Sequence, residues 1–76
     1  MSQLSEEVLK VSVQYLGPAA RNFLERQTQA HLKGLAFNDL KKTDLPELAR
    51  WVSTSASLII DKKKAEELAD KIRKMG

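Results

Sequence analysis

The sequence predicts an all-α fold, a compact four-helix domain over residues 1–76, from three observations. Apolar residues recur at helical spacings of three and four in four successive segments. Each junction between segments carries a helix start or stop signal. No segment offers a second strand with which an extended stretch could pair, and a lone strand leaves its backbone groups unsatisfied. The expected helices run near 5–16, 18–33, 45–60 and 62–75, with a corner at Gly17-Pro18 and a short linker before the third.

In the first segment Ser5, followed by Glu6 and Glu7, reads as an N-cap with acids at the positive end of a helix; Ser2 is a second candidate start. Leu4, Val8, Val11 and Tyr15 form a helical row, and Leu9, Val13 and Leu16 form a second row beside it. The alternation of Val11, Val13 and Tyr15 is also strand-like, but the second row favours the helix. Gly17-Pro18 ends it, because the residue before proline avoids the α conformation and proline suits the first turn of a helix. The second helix places Ala20, Phe23, Leu24, Gln27 and His31 on one stripe and meets a basic residue and a glycine stop at Lys33-Gly34.

Leu35-Ala36-Phe37 is a short apolar linker, and Asn38-Asp39 after it reads either as a loop tucked onto the core or as one extra helical turn. Asp44-Leu45-Pro46-Glu47 then supplies an acidic N-cap, a first-turn proline and a glutamate in the capping-box place. The stripe of the third helix is Leu45, Leu48, Ala49, Val52, Ala56 and Ile59, and it passes through Ser53-Thr54-Ser55, which weaken a helix without forbidding it. Asp61 reads as the cap of a fourth helix, ending at Gly76, with Ala65, Leu68, Ala69, Ile72 and Met75 on one face. The fourth helix has an apolar arc of about 100°, whereas the arc of the third, from Leu58 and Trp51 round to Ile60, is nearer ~200°. The first is similarly broad, and as an N-terminal helix it is the better candidate for an interface; central burial is the simpler reading of the third.

Composition narrows the function. Hydrophobic residues make up 42% and charged residues 30%, a globular balance, and the longest apolar run, Leu58-Ile59-Ile60, is far short of the roughly 20 residues of a membrane span. No signal-peptide-like block opens the chain, so a cytoplasmic location is expected. With no cysteine, disulfides and thiolate chemistry are excluded. A core of this size gains stability by association, the first pointer to self-assembly.

No catalytic residue, metal ligand set, cofactor or small-molecule substrate is expected. His31, the lone histidine, has no acid or hydroxyl at a catalytic spacing and reads as a packed residue at the negative end of a helix. Glu6-Glu7 and Glu66-Glu67 point about 100° apart on their helices and form solvated faces, and the three glycines are isolated, so no phosphate loop exists. Trp51 is either a core-edge residue or an interface anchor. The basic residues of the fourth helix have acids interspersed, with Glu67–Lys71 and Asp70–Lys74 spaced as ordinary surface pairs. Lys62, Lys63 and Lys64 sit at the end of a helix that disfavours cations and form a weak basic patch.

The segment LPELARWVSTSASLII resembles a degenerate helix-turn-helix over 45–60, with Ala49 and Ser53 at the motif's alanine and turn positions. It departs in having serine at the turn, and Ser55-Ala56-Ser57-Leu58 carries no side chain able to read a base edge. Nucleic-acid binding through this segment and the basic fourth helix is therefore the alternative reading. The net charge of +3, thirteen basic against ten acidic residues, is modest for such a role.

Tyr15, Leu16, Gly17, Pro18, Ala19 and Ala20, followed by Leu48 and Ala49, give a further comparison. With them the chain resembles the short helical region found after kinase, cyclase or roadblock-type modules in some bacterial signalling proteins. The resemblance spans roughly Val8 to Ile60 and implies a non-enzymatic accessory or regulatory role. The residues themselves point to a protein-interaction module that self-associates as a homo-oligomer through the broad apolar faces of helices one and three. Leu9, Val13, Trp51 and Leu58 are its expected contact residues.

Overall fold

Gly17 sets the path of the chain. Its φ of +62° is open to glycine and costly for residues with a Cβ, and it bends the backbone just as Pro18 prevents the preceding helix from continuing. The computed structural model describes residues 3–75. It comprises α1 (Gln3–Leu16), α2 (Ala20–His31), α3 (Leu45–Ala56) and α4 (Lys62–Arg73), with 3₁₀ turns at Gly17–Ala19, Phe37–Asp39 and Lys42–Asp44. No strand occurs among the described residues, so the fold is all-α. The expectation of four separate helices needs correction. The turn at Gly17–Ala19 joins α1 to α2 without a coil residue, so the long helical runs number three, the first of them bent at Gly17.

Several expected boundaries shift. Ser5 lies inside α1 and is fully buried, so it is no N-cap; the alternative start Ser2, and the expected end of the fourth helix at Gly76, lie outside the described residues. Asp44 does not cap α3 with its side chain. Its Oδ2 turns back to accept the Lys41 backbone N–H at 3.0 Å, which tightens the preceding 3₁₀ turn. Asp61 likewise starts α4 with its backbone, its carbonyl accepting the Ala65 N–H at 2.9 Å. The extra turn after the linker forms, at Phe37–Asp39, and Phe37 and Leu40 drop into the core on either side of it.

α2 ends two residues before the expected Lys33, in a Schellman arrangement. The Gly34 N–H reaches the Gln29 carbonyl at 3.2 Å, and the residue in the left-handed conformation is Lys33, at φ +56°, with Gly34 following at +73°. α3 stops at Ala56, not near Ile60. Hydroxyls at its end bond to the helix's own backbone, Thr54 Oγ1 donating to the Arg50 carbonyl at 3.2 Å and Ser57 Oγ to the Thr54 carbonyl at 2.7 Å.

The core is built on the α3–α4 pair. α3 buries Leu45, Leu48, Ala49, Val52 and Ala56, and α4 buries Ala65, Leu68, Ala69 and Ile72. The alanines on both faces let the two backbones approach, and each buried leucine contributes about 1.5–3 kcal/mol. α2 adds Ala20 and Leu24. α1 packs on α2 and α4 with Ser5, Val8 and Ser12 fully buried and Leu4, Leu9, Val11, Tyr15 and Leu16 half-buried against the core. The radius of gyration, 10.7 Å, matches the roughly 11 Å of a compact 76-residue fold with one core.

Candidate functional site

Ending α3 at Ala56 has a direct consequence for Leu58 and Ile59, which follow Ser57 in the connection. Leu58 and Ile59 leave the helical stripe and stand side by side in the α3–α4 connection, 83% and 61% exposed. Ile59 was expected inside, on the α3 stripe; it is outside because the stripe ends three residues before it. Ile60 alone of the three turns back to pack on the core.

Leu58 and Ile59 form one wall of an open groove of about 640 Å³, whose other wall is the solvent side of α2 with Asn22, Phe23, Arg26 and Gln29. The groove also borders the hydrogen bond in which Ser55 Oγ donates to Gln27 Oε1 at 3.0 Å, tying α3 to α2. Gln27 is 7% exposed, so this bond supplies the partner that a buried amide requires. On the α2 wall Arg21 Nη1 and Glu25 Oε2 pair at 3.5 Å, while Arg26 makes no ion pair among the described residues. The groove is therefore aliphatic on one side and polar on the other, with Glu25 and Arg26 both among its lining residues.

The four expected contact residues divide. Leu58 is fully available, and Val13, 46% exposed on α1, is the third large exposed apolar side chain among the described residues. Leu9 is half-buried and packs against the core. Trp51 is half-buried and stacks on His31, their ring centroids 3.8 Å apart and their planes 5° from parallel. The stack ties Trp51 of α3 to the end of α2. The indole Nε1 has no hydrogen-bond partner among the described residues.

Lys62, Lys63 and Lys64 are all exposed at the start of α4. The alternative reading of 45–60 as a degenerate helix-turn-helix does not match the backbone, since α3 passes through Ser53 without a turn and no second helix begins before Lys62. Farther along α4, Asp70 accepts from Arg73 at 2.7 Å and lies 3.8 Å from Lys74, as the spacing suggested for the latter. Glu67 does not pair with Lys71 but accepts a hydrogen bond from the Tyr15 hydroxyl at 3.2 Å, and Lys71 Nζ sits 5.1 Å from the centre of the Tyr15 ring. Tyr15 thus clasps α1 to α4. The Lys71 ammonium is held above its ordinary range, first by its hydrogen bond to Tyr15 and then by attraction to that phenol and to Glu67.

Among the described residues no group of three or more His, Cys, Asp or Glu side chains could hold a metal ion, and no helix is long and apolar enough to cross a membrane. Sequence reasoning did not find Ile59, Arg26 or Phe23 as parts of one surface. The available signal was the row of hydroxyls at 53–55 and 57, which marks where α3 gives way. No protein-family description, curated protein or solved structure matches the chain.

Proposed function

We propose that this chain is a non-enzymatic protein-interaction module that associates with a second copy of itself through its exposed aliphatic side chains. The observation that carries this reading is the pair Leu58 and Ile59, adjacent, exposed, and lining a groove with a polar rim. Neighbouring exposed aliphatic side chains beside a groove with a polar rim are the kind of surface that contiguous interaction patches are built from. Val13 adds a second exposed apolar point on α1. His31 is engaged face to face with Trp51, an arrangement of packing and not of proton transfer.

Light scattering across a tenfold concentration range tests the proposal, with Leu58→Glu and Val13→Glu alongside. Wild-type mass should rise with concentration toward a dimer, and Leu58→Glu should remain a folded monomer by circular dichroism. A wild type that stays monomeric throughout would overturn the reading.

A further inference from the structure

Position 17 decides whether α1 folds back onto its own chain. α1 and α2 are joined by Gly17–Ala19 with no coil residue between them. Leu16 before this turn and Ala19 and Ala20 at its end are right-handed helical, and Gly17, at φ +62°, is the one residue of the stretch with a positive φ. Pro18 pushes the residue before it toward extended backbone, so the local preference at position 17 is for an opened turn, and the packing of α1 holds the closed one. Beyond its chain neighbours no atom lies within 4 Å of the place a Cβ on Gly17 would take, so nothing crowds the hinge.

The surface on which α1 docks belongs to α2 and α4. Val8 is the only apolar side chain that α1 buries fully. Tyr15 ties the helix to α4, its hydroxyl donating to Glu67 Oε1 at 3.2 Å while Lys71 Nζ lies 5.1 Å from its ring centre. A second copy carries the same α2 and α4 surface, so an α1 that swings out on an extended Gly17 meets an identical site there.

We propose that α1 is an exchangeable element: with Gly17 extended it docks on α2 and α4 of a second copy, whose own α1 docks in return. The occupant is α1 because this surface is already shaped to it. The contacts of α1 are the same in the closed monomer and in the exchanged pair, so the balance between them is set by the two hinges and by concentration. A short hinge whose local preference opposes its closed form favours exchange. The exchange uses neither Leu58 nor Ile59 and so goes beyond association through those side chains.

The test keeps Leu58→Glu in every sample and varies position 17 alone. An L-residue at the φ of Gly17 is penalised and a D-residue is not. Gly17→Ala should therefore lower the dimer Kd roughly 25-fold in sedimentation equilibrium, about fivefold for each of the two hinges, and a synthetic chain with D-alanine at position 17 should stay monomeric at the same concentrations. In a Gly17→Ala dimer assembled from isotope-labelled and unlabelled chains, isotope-filtered NMR should place Tyr15 ring protons beside Lys71 side-chain protons of the other chain. Three results would overturn the exchange: a folded Gly17→Ala that is monomeric at millimolar concentration, a D-alanine chain that dimerises as tightly, or Tyr15–Lys71 contacts that all lie within one chain. Should Gly17→Ala not fold by circular dichroism, Leu58→Glu refolded from urea at millimolar concentration decides instead. A dimer separable by size exclusion, with Tyr15–Lys71 contacts between chains, supports the exchange, and monomer alone overturns it. Because every sample carries Leu58→Glu, failure here leaves association through Leu58 and Ile59 standing.

Discussion

The imidazole of His31 lies flat on the indole of Trp51, 3.8 Å between ring centres, and so joins the last turn of α2 to the middle of α3. The Arg50 guanidinium approaches the same indole, 5.8 Å from the ring centre. The stack shields one face of the only tryptophan of the chain. His31→Ala should open that face, so acrylamide should quench Trp51 emission more steeply than in the wild type, and an unchanged quenching slope would contradict the stacked arrangement.

Lys33 occupies the left-handed position at the end of α2, where a side chain costs roughly 1–2 kcal/mol that glycine avoids. Glycine loses part of that advantage through the greater freedom of its unfolded chain, so Lys33→Gly should stabilise the fold by about 0.5–1 kcal/mol. Thermal unfolding should show a rise in Tm of about 4 °C. An unchanged or lower Tm would mean that the Lys33 side chain contributes contacts beyond its backbone conformation.

Leu48 and Leu58 have the same chemistry and opposite fates. Leu48→Ala, in the fully buried stripe of α3, should cost about 2–5 kcal/mol in denaturant unfolding. Leu58→Glu should change monomer stability by less than about 0.5 kcal/mol. Comparable losses in both would place Leu58 in the core and remove the groove from consideration.

Two serines on the packed faces should respond in opposite directions. Ser12 Oγ is buried with no hydrogen-bond partner among the described residues, so Ser12→Ala removes an unpaired hydroxyl and improves helix propensity, raising stability by about 0.5–1 kcal/mol. Ser55→Ala instead strips Gln27 of its partner and should cost about 1 kcal/mol or more. Urea denaturation of the two variants checks both signs.

The helical class, the corner at Gly17-Pro18 and the buried stripes of α2 and α4 were legible because apolar spacing and helix breakers agreed there. The inward face of α1 was legible in its main row, since Leu4, Val8, Val11 and Tyr15 do pack inward. Its flanks were not: apolarity favours Val13 over Ser5 and Ser12, yet the serines are buried and Val13 is outside. The far end of α3 was misread for a different reason. Leu58 and Ile59 continue the helical period in the sequence, but period carries no information on where hydroxyl side chains bond to the last carbonyls and the helix stops. The candidate surface arises from that stop, so a pattern-based reading found Leu58 and took Ile59 for core.

The make-up of α1 also sets an order of opening. Val8 is its one fully buried apolar side chain, with Leu4, Leu9, Val11, Tyr15 and Leu16 only half-buried beside it, so detaching α1 bares fewer fully buried apolar side chains than parting α3 from α4 does. α3 and α4 cannot part without baring leucine, valine and isoleucine. Amide protons of α1 should therefore exchange with solvent through a small local fluctuation, while those at the centre of α3 wait for the whole molecule to unfold.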